Sequence, residues 1–116
     1  PVSGFVFAAP GEPTVYVAGD TIWCEDVNAS IRDHRPDVIV VNAGGARFLE
    51  GDPIVMTAED VAEVHRAAPD ALIVVVHLEA INHCLETRQH YRYALPALGV
   101  DMDRIKIPAD GETVVP

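Results

Sequence analysis

The sequence of 116 residues carries 18 acidic side chains against 8 basic ones, a formal net charge of −10. Such a surface repels phosphate backbones, so nucleic acid is not an expected partner. With 49% apolar residues the chain can build one modest core, which excludes disorder throughout, and no run of about 18 apolar residues encodes a membrane-spanning helix.

The opening residues, PVSGFVFAAPGEP, lack the basic segment of a signal peptide and include no methionine. The expectation is a chain that begins mid-protein or has been trimmed. Residues 3–8 (SGFVFA) read as a strand. Pro10-Gly11-Glu12-Pro13 signals a turn, and Thr14 to Ala18 (TVYVA) reads as a second strand paired with the first in a hairpin. Ile22, Val27 and Ile31 then recur on one helical face, and Arg35-Pro36 stops that helix, because the residue before proline avoids the helical region.

Asp37 to Val41 (DVIVV) is a continuous β-branched run, the pattern of a buried strand, and a loop from Asn42 to Ala46 (NAGGA) follows. Thr57 is a good N-cap for a helix that carries Glu59 and Asp60 in its first turn and Val61, Val64 and Ala68 on its inner face. Pro69-Asp70 breaks it. Ala71 to Val76 (ALIVVV) is another buried strand, and a loop from Leu78 to Cys84 leads to a helix over about 85–98 that stops at Gly99. Arg104 to Ile107 (RIKI) reads as a last strand, with residues 111–116 pairing or fraying beyond it. The order β-β-α-β-α-β-α-β predicts one α/β domain over residues 1–116, with a largely parallel sheet and helices packed on it.

Three successive strands run out in the same manner, at Gly19-Asp20-Thr21, at Asn42-Ala43-Gly44-Gly45 and at His77. In a parallel sheet these ends share one edge, where ligands of open α/β sheets bind. Asp20, Asn42 and His77 can therefore converge although 22 and 35 residues separate them in sequence. Each position has an alternative. Asp20 with Thr21 either caps the helix that starts near Trp23 or ligates a metal. Asn42 to Gly45 also reads as a plain turn. His77 emerges as a buried strand ends, suited either to a metal or to a backbone carbonyl. His83, beside Cys84, is a weaker candidate, and His34, His65 and His90 are expected to face solvent on helices.

Other chemistries lack support. Neither serine, Ser3 or Ser30, lies in a G-x-S-x-G elbow, and no G-x-G-x-x-G or G-x-x-x-x-G-K-[ST] phosphate loop is present. Cys24 and Cys84 fit no zinc ribbon or disulfide framework. Read as reduced thiols, they suggest a cytoplasmic protein.

The segments TVYVAGDT, RPDVIVVNAGGA, MTAEDV and ALIVVVHLEAINH resemble the second half of a metallo-β-lactamase-fold hydrolase, nearest to the group similar to ascorbate-6-phosphate lactonase. The resemblance spans roughly residues 3 to 95. In that family two transition-metal ions, zinc or manganese, activate a bridging water that attacks a small-molecule substrate. The resemblance implies that Asp20 bridges both metals and that His77 completes the shell of the second. It also implies that Thr21 orients the Asp20 carboxylate. Asn42 and His83 are candidates for a supporting or substrate-contacting role.

The sequence departs from the family in one large respect. The H-x-H-x-D-H signature is absent, and no H-x-H occurs in the 116 residues. In the family that motif lies in the N-terminal half. The resemblance thus implies the C-terminal half of a four-layer αββα sandwich: one mixed β-sheet with helices packed on it. Asp20 and His77 offer two metal ligands, where a zinc site takes three or four. The expectation is an incomplete metal-dependent hydrolase of ester, lactone or phosphoester substrates. Alone it would be inactive, would bind metal weakly or not at all, and would self-associate through an uncovered apolar sheet face. Two other readings stand beside it: a non-catalytic α/β module that binds a ligand or partner, and a subunit completed by another chain.

Overall fold

The computed structural model describes residues 4–19, 23–42, 56–76 and 88–108. Strands β1 (Phe5–Phe7) and β2 (Val15–Val17) form the hairpin that the Pro-Gly signal predicts. Helix α1 (Glu25–His34) leads to β3 (Val38–Asn42), α2 (Ala58–Ala67) to β4 (Leu72–Val76), and α3 (Arg88–Ala97) to a short 3-10 turn (Met102–Arg104) and β5 (Ile105–Lys106). The strands lie in the order β1-β2-β3-β4-β5, antiparallel for the first pair and parallel thereafter. This is the mixed sheet expected from the sequence. Residues 111–116, read as pairing or fraying, lie outside the described residues.

Local chemistry sets the helix ends. Thr57 and Asp60 exchange side-chain bonds to each other's backbone N–H, a reciprocal cap that fixes the start of α2. Arg35 closes α1 in the left-handed region at φ 46, with its N–H on the Ile31 carbonyl, and Pro36 prevents continuation. Gly99, at φ 84, ends α3: its N–H reaches Pro96 O at 3.0 Å and the Val100 N–H reaches Leu95 O at 3.1 Å. That pair of bonds satisfies carbonyls the helix itself leaves open.

Every parallel step moves one place in the same direction. Right-handed crossovers then bring α1, α2 and α3 to one face of the sheet, where α2 packs between the other two. The register makes this visible in the sequence. Val6, Tyr16, Ile39, Ile73 and Ile105 stand opposite one another in a row across all five strands, and residues directly opposite share a face. That row, with Val41 and Val75, packs against Val27 and Ile31 of α1, Val61 and Val64 of α2, and Tyr91 and Leu95 of α3.

The other face carries the intervening residues. Phe7, Val15, Val38 and Leu72 form one row, and Phe5, Val17, Val40, Val74 and Lys106 the next. Most of it is apolar. Phe5 and Phe7 are 61% and 59% exposed, Val15, Val17, Val40 and Leu72 are half-buried, and Val38 and Val74 are buried. Among the described residues no helix is long and apolar enough to cross a membrane.

Candidate functional site

Strands β2, β3 and β4 are adjacent and parallel, so their carboxyl ends lie on one edge. Val17 stands opposite Val40, and the Ala18 N–H continues the ladder by bonding the Val40 carbonyl at 3.0 Å. Asn42 stands opposite Val76, so β3 and β4 end level with each other. The three strand ends therefore share one edge of the sheet.

Gly19 follows β2 with φ 77, in the left-handed region that a side chain disfavours. It turns the backbone just before the Asp20 position. Asp20, Thr21, His77 and His83 themselves lie outside the described residues. The sequence places Asp20 directly after Gly19 and His77 directly after Val76, each next to a described residue on this edge.

Asn42 is described. It is the last residue of β3 rather than the first of a loop, and its side chain shares the sheet face of Val40 and Val76. Its carbonyl accepts the Met56 N–H at 3.0 Å. One alternative for Asp20 can be resolved. Helix α1 begins at Glu25 with Cys24 at the N-cap, so neither Asp20 nor Thr21 occupies that capping position.

The expectation for His65 needs correction. It is half-buried rather than solvent-facing. Its Nε2 accepts the Asp101 N–H at 3.4 Å, and its Nδ1 is the buried side-chain polar atom without a partner among the described residues. The α2 residues just before Pro69 lie against the turn after α3, which the helical pattern alone does not reveal. His34 and His90 are exposed as expected.

Sequence reasoning missed a second pair. The Tyr91 hydroxyl donates to the Met56 carbonyl at 2.8 Å, and both residues are fully buried. The spacing of Tyr91 and Leu95 marks them as one inward face of α3, but nothing in the sequence marks Met56 as the acceptor. A cleft of about 540 Å³ lies at the opposite end of the sheet, among Ile31, Arg35, Asp37, Ala68 and Asp70, where β3 and β4 begin. It contains none of the candidate residues.

The donor chemistry suits a metal in kind and falls short in number. A carboxylate and an imidazole are proper zinc or manganese ligands, but two do not close a site. Among the described residues no group of three or more His, Cys, Asp or Glu could hold an ion.

No protein-family model matches the sequence. The UPF0173 protein YddR of Bacillus subtilis is 41% identical over 112 residues, which cover 97% of this chain and 44% of that protein. A UPF0173 metal-dependent hydrolase of Xanthobacter autotrophicus is 36% identical over 73 residues, 63% of this chain and 28% of that protein. This chain is similar to part of these UPF0173 proteins, one of which is named a metal-dependent hydrolase. Solved structures agree. A possible metal-dependent hydrolase from Veillonella parvula superposes with TM-score 0.89 at 35% identity, over 96% of this chain and 42% of that one. An isothiocyanate hydrolase from Delia radicum gut bacteria superposes with TM-score 0.90 at 41% identity, over 97% and 43%. The mixed sheet and three helices thus match part of metallo-β-lactamase-fold hydrolases. The chain spans less than half the length of these UPF0173 relatives and structural neighbours.

Proposed function

We propose that these residues form the C-terminal half of a metal-dependent hydrolase in the group resembling ascorbate-6-phosphate lactonase, with water as the attacking nucleophile and a small-molecule substrate. What supports this is the shared edge of β2, β3 and β4, beside which the sequence sets one carboxylate and one imidazole. Asp20 would bridge two zinc or manganese ions, neutralising part of their mutual repulsion. His77, as neutral imidazole, would ligate one of them. When bound, the metal pair supplies a water of lowered pKa. Thr21 orients the carboxylate, and Asn42 and His83 are the nearest candidates for substrate contact. Asp20 and His77 are two ligands where a zinc site takes three or four, so this reading expects further ligands and an inactive isolated chain. The apolar sheet face opposite the helices, with Phe5 and Phe7 exposed on it, would drive self-association of the isolated chain.

The substrate is an ester, lactone or phosphoester. The 41% identity to an isothiocyanate hydrolase adds a second class, an electrophilic isothiocyanate carbon. Fold alone does not choose between them.

Metal analysis tests the reading. The chain supplied with an H-x-H-x-D-H-bearing half should retain zinc or manganese through dialysis, and Asp20→Ala or His77→Ala should release it. Steady activity on a lactone, an activated phosphodiester or an isothiocyanate then identifies the bond cleaved. Full metal retention in both variants would exclude these two ligands. Binding of no divalent metal by the paired halves favours the non-catalytic module.

A further inference from the structure

Two connections leave the strand-end edge: one runs from Asn42 to Met56, the other from Val76 to the start of α3 at Arg88. The places where they end, Met56 and the first turn of α3, are tied by one side chain. Tyr91, in the first turn of α3, donates its hydroxyl to the Met56 carbonyl at 2.8 Å across 35 residues. Met56 is also bonded through its N–H to the Asn42 carbonyl at 3.0 Å. A single residue is thereby held on both sides, by the end of β3 and by the helix that follows β4. Tyr91, Met56 and the inner faces of α2 and α3 are closed to solvent, so losing the hydroxyl takes this partner from a buried carbonyl.

We infer that Tyr91 is a positioning residue for the strand-end site: its hydroxyl fixes the return of the β3–α2 connection against the start of α3 and so sets the spacing of the edge that receives substrate. The substrate part rests on the proposed hydrolase function. The tie between Met56 and α3 does not.

Tyr91→Phe removes the hydroxyl and keeps the ring in the core. Arg66→Met is the matched control, because Arg66 also reaches a distant carbonyl, that of Leu98 at 3.2 Å, but does so from the last turn of α2, away from the strand-end edge. Hydrogen exchange measured by mass spectrometry on the 116-residue chain reads the difference. In Tyr91→Phe, peptides covering Met56 with the start of α2 and the first turn of α3 should exchange about fivefold faster, as expected when a buried hydrogen bond of ordinary strength is lost. The β2 and α1 peptides should be unchanged, and Arg66→Met should leave the Met56 and first-turn α3 peptides as in the wild type. A uniform rise over the whole chain, or no rise, overturns the proposal. In the active, paired protein the same variant should raise KM roughly fivefold at constant metal content, by the same loss. An unchanged KM beside a local rise in exchange also overturns the positioning role. Should the paired wild type hold no metal and cleave nothing, the hydrolase reading fails, and the exchange result alone decides the tie.

Discussion

Asn42 and Val76 are register partners, the last residues of two neighbouring parallel strands. Because β3 and β4 stop level, whatever follows each of them starts from the same height on the sheet. Gly19 adds the third point, one residue past the bond that ties Ala18 to Val40. The positions after Gly19 and Val76 are those of Asp20 and His77.

Gly19 turns the backbone after β2 and is the last described residue before Asp20 in the sequence. At φ 77 a Cβ is strained. Gly19→Ala should lower stability by about 1–2 kcal/mol, the cost of a left-handed conformation for an ordinary residue. Gly19→Asn should cost less, since asparagine tolerates that region. Urea denaturation of the three proteins measures the order, and an alanine variant as stable as the wild type would show that the backbone has another way round this corner.

The two faces of β4 should respond differently to truncation. Ile73 is fully buried under the helices, whereas its neighbour Leu72 is half-buried on the open face. Ile73→Ala should cost about 2–5 kcal/mol, as for other well-packed core sites. Leu72→Ala should cost clearly less. Equal losses in denaturation midpoints would mean that the open face is as tightly packed as the helix side.

Phe5 and Phe7 dominate the exposed corner of the open face. Replacing both with lysine should weaken concentration-dependent association of the isolated chain and reduce its binding of an apolar dye, since large exposed apolar patches drive such contacts. Sedimentation velocity over a range of concentrations provides the check. Unaltered association in the double variant would assign it to another surface.

Burial beneath α1 raises the Tyr16 phenol above its usual value of 10.0; the Ser30 hydrogen bond lowers it in part, and Cys24 and Asp26 push it up again. The folded state therefore holds this proton to higher pH than the unfolded state. That contribution to stability is intact below pH 10 and is lost as the pH rises through the folded value. Tyr16→Phe should flatten the fall in stability as the pH rises above about 10, a tyrosine's ordinary value. A fall identical in both proteins would assign it to other groups.

The order of elements was legible because the strands are β-branched runs and the helices begin or end on recognisable residues: Thr57 with Asp60, Arg35 before Pro36, Gly99. The edges of elements were less so. The reading carried the last strand from Arg104 to Ile107, but Arg104 belongs to the 3-10 turn, where the Asp101 side chain accepts the Asp103 N–H. Local hydrogen bonding decides such boundaries, and periodicity does not report it. At the site, the shared edge followed from strand direction alone. The contacts of His65 with Asp101 and of Tyr91 with Met56 were hidden, since each joins residues 35 or more positions apart.

The alternation along β2, β3 and β4 has a consequence for how this sequence can vary. Tyr16, Ile39 and Ile73 answer to the helices, while Val15, Val17, Val40 and Leu72 answer to whatever lies on the other side. Two separate demands are written on one strand in alternate letters. Changes in one set can therefore retune what the sheet meets without disturbing how the domain folds. A one-residue slip in a strand would exchange the two sets and fail both demands together.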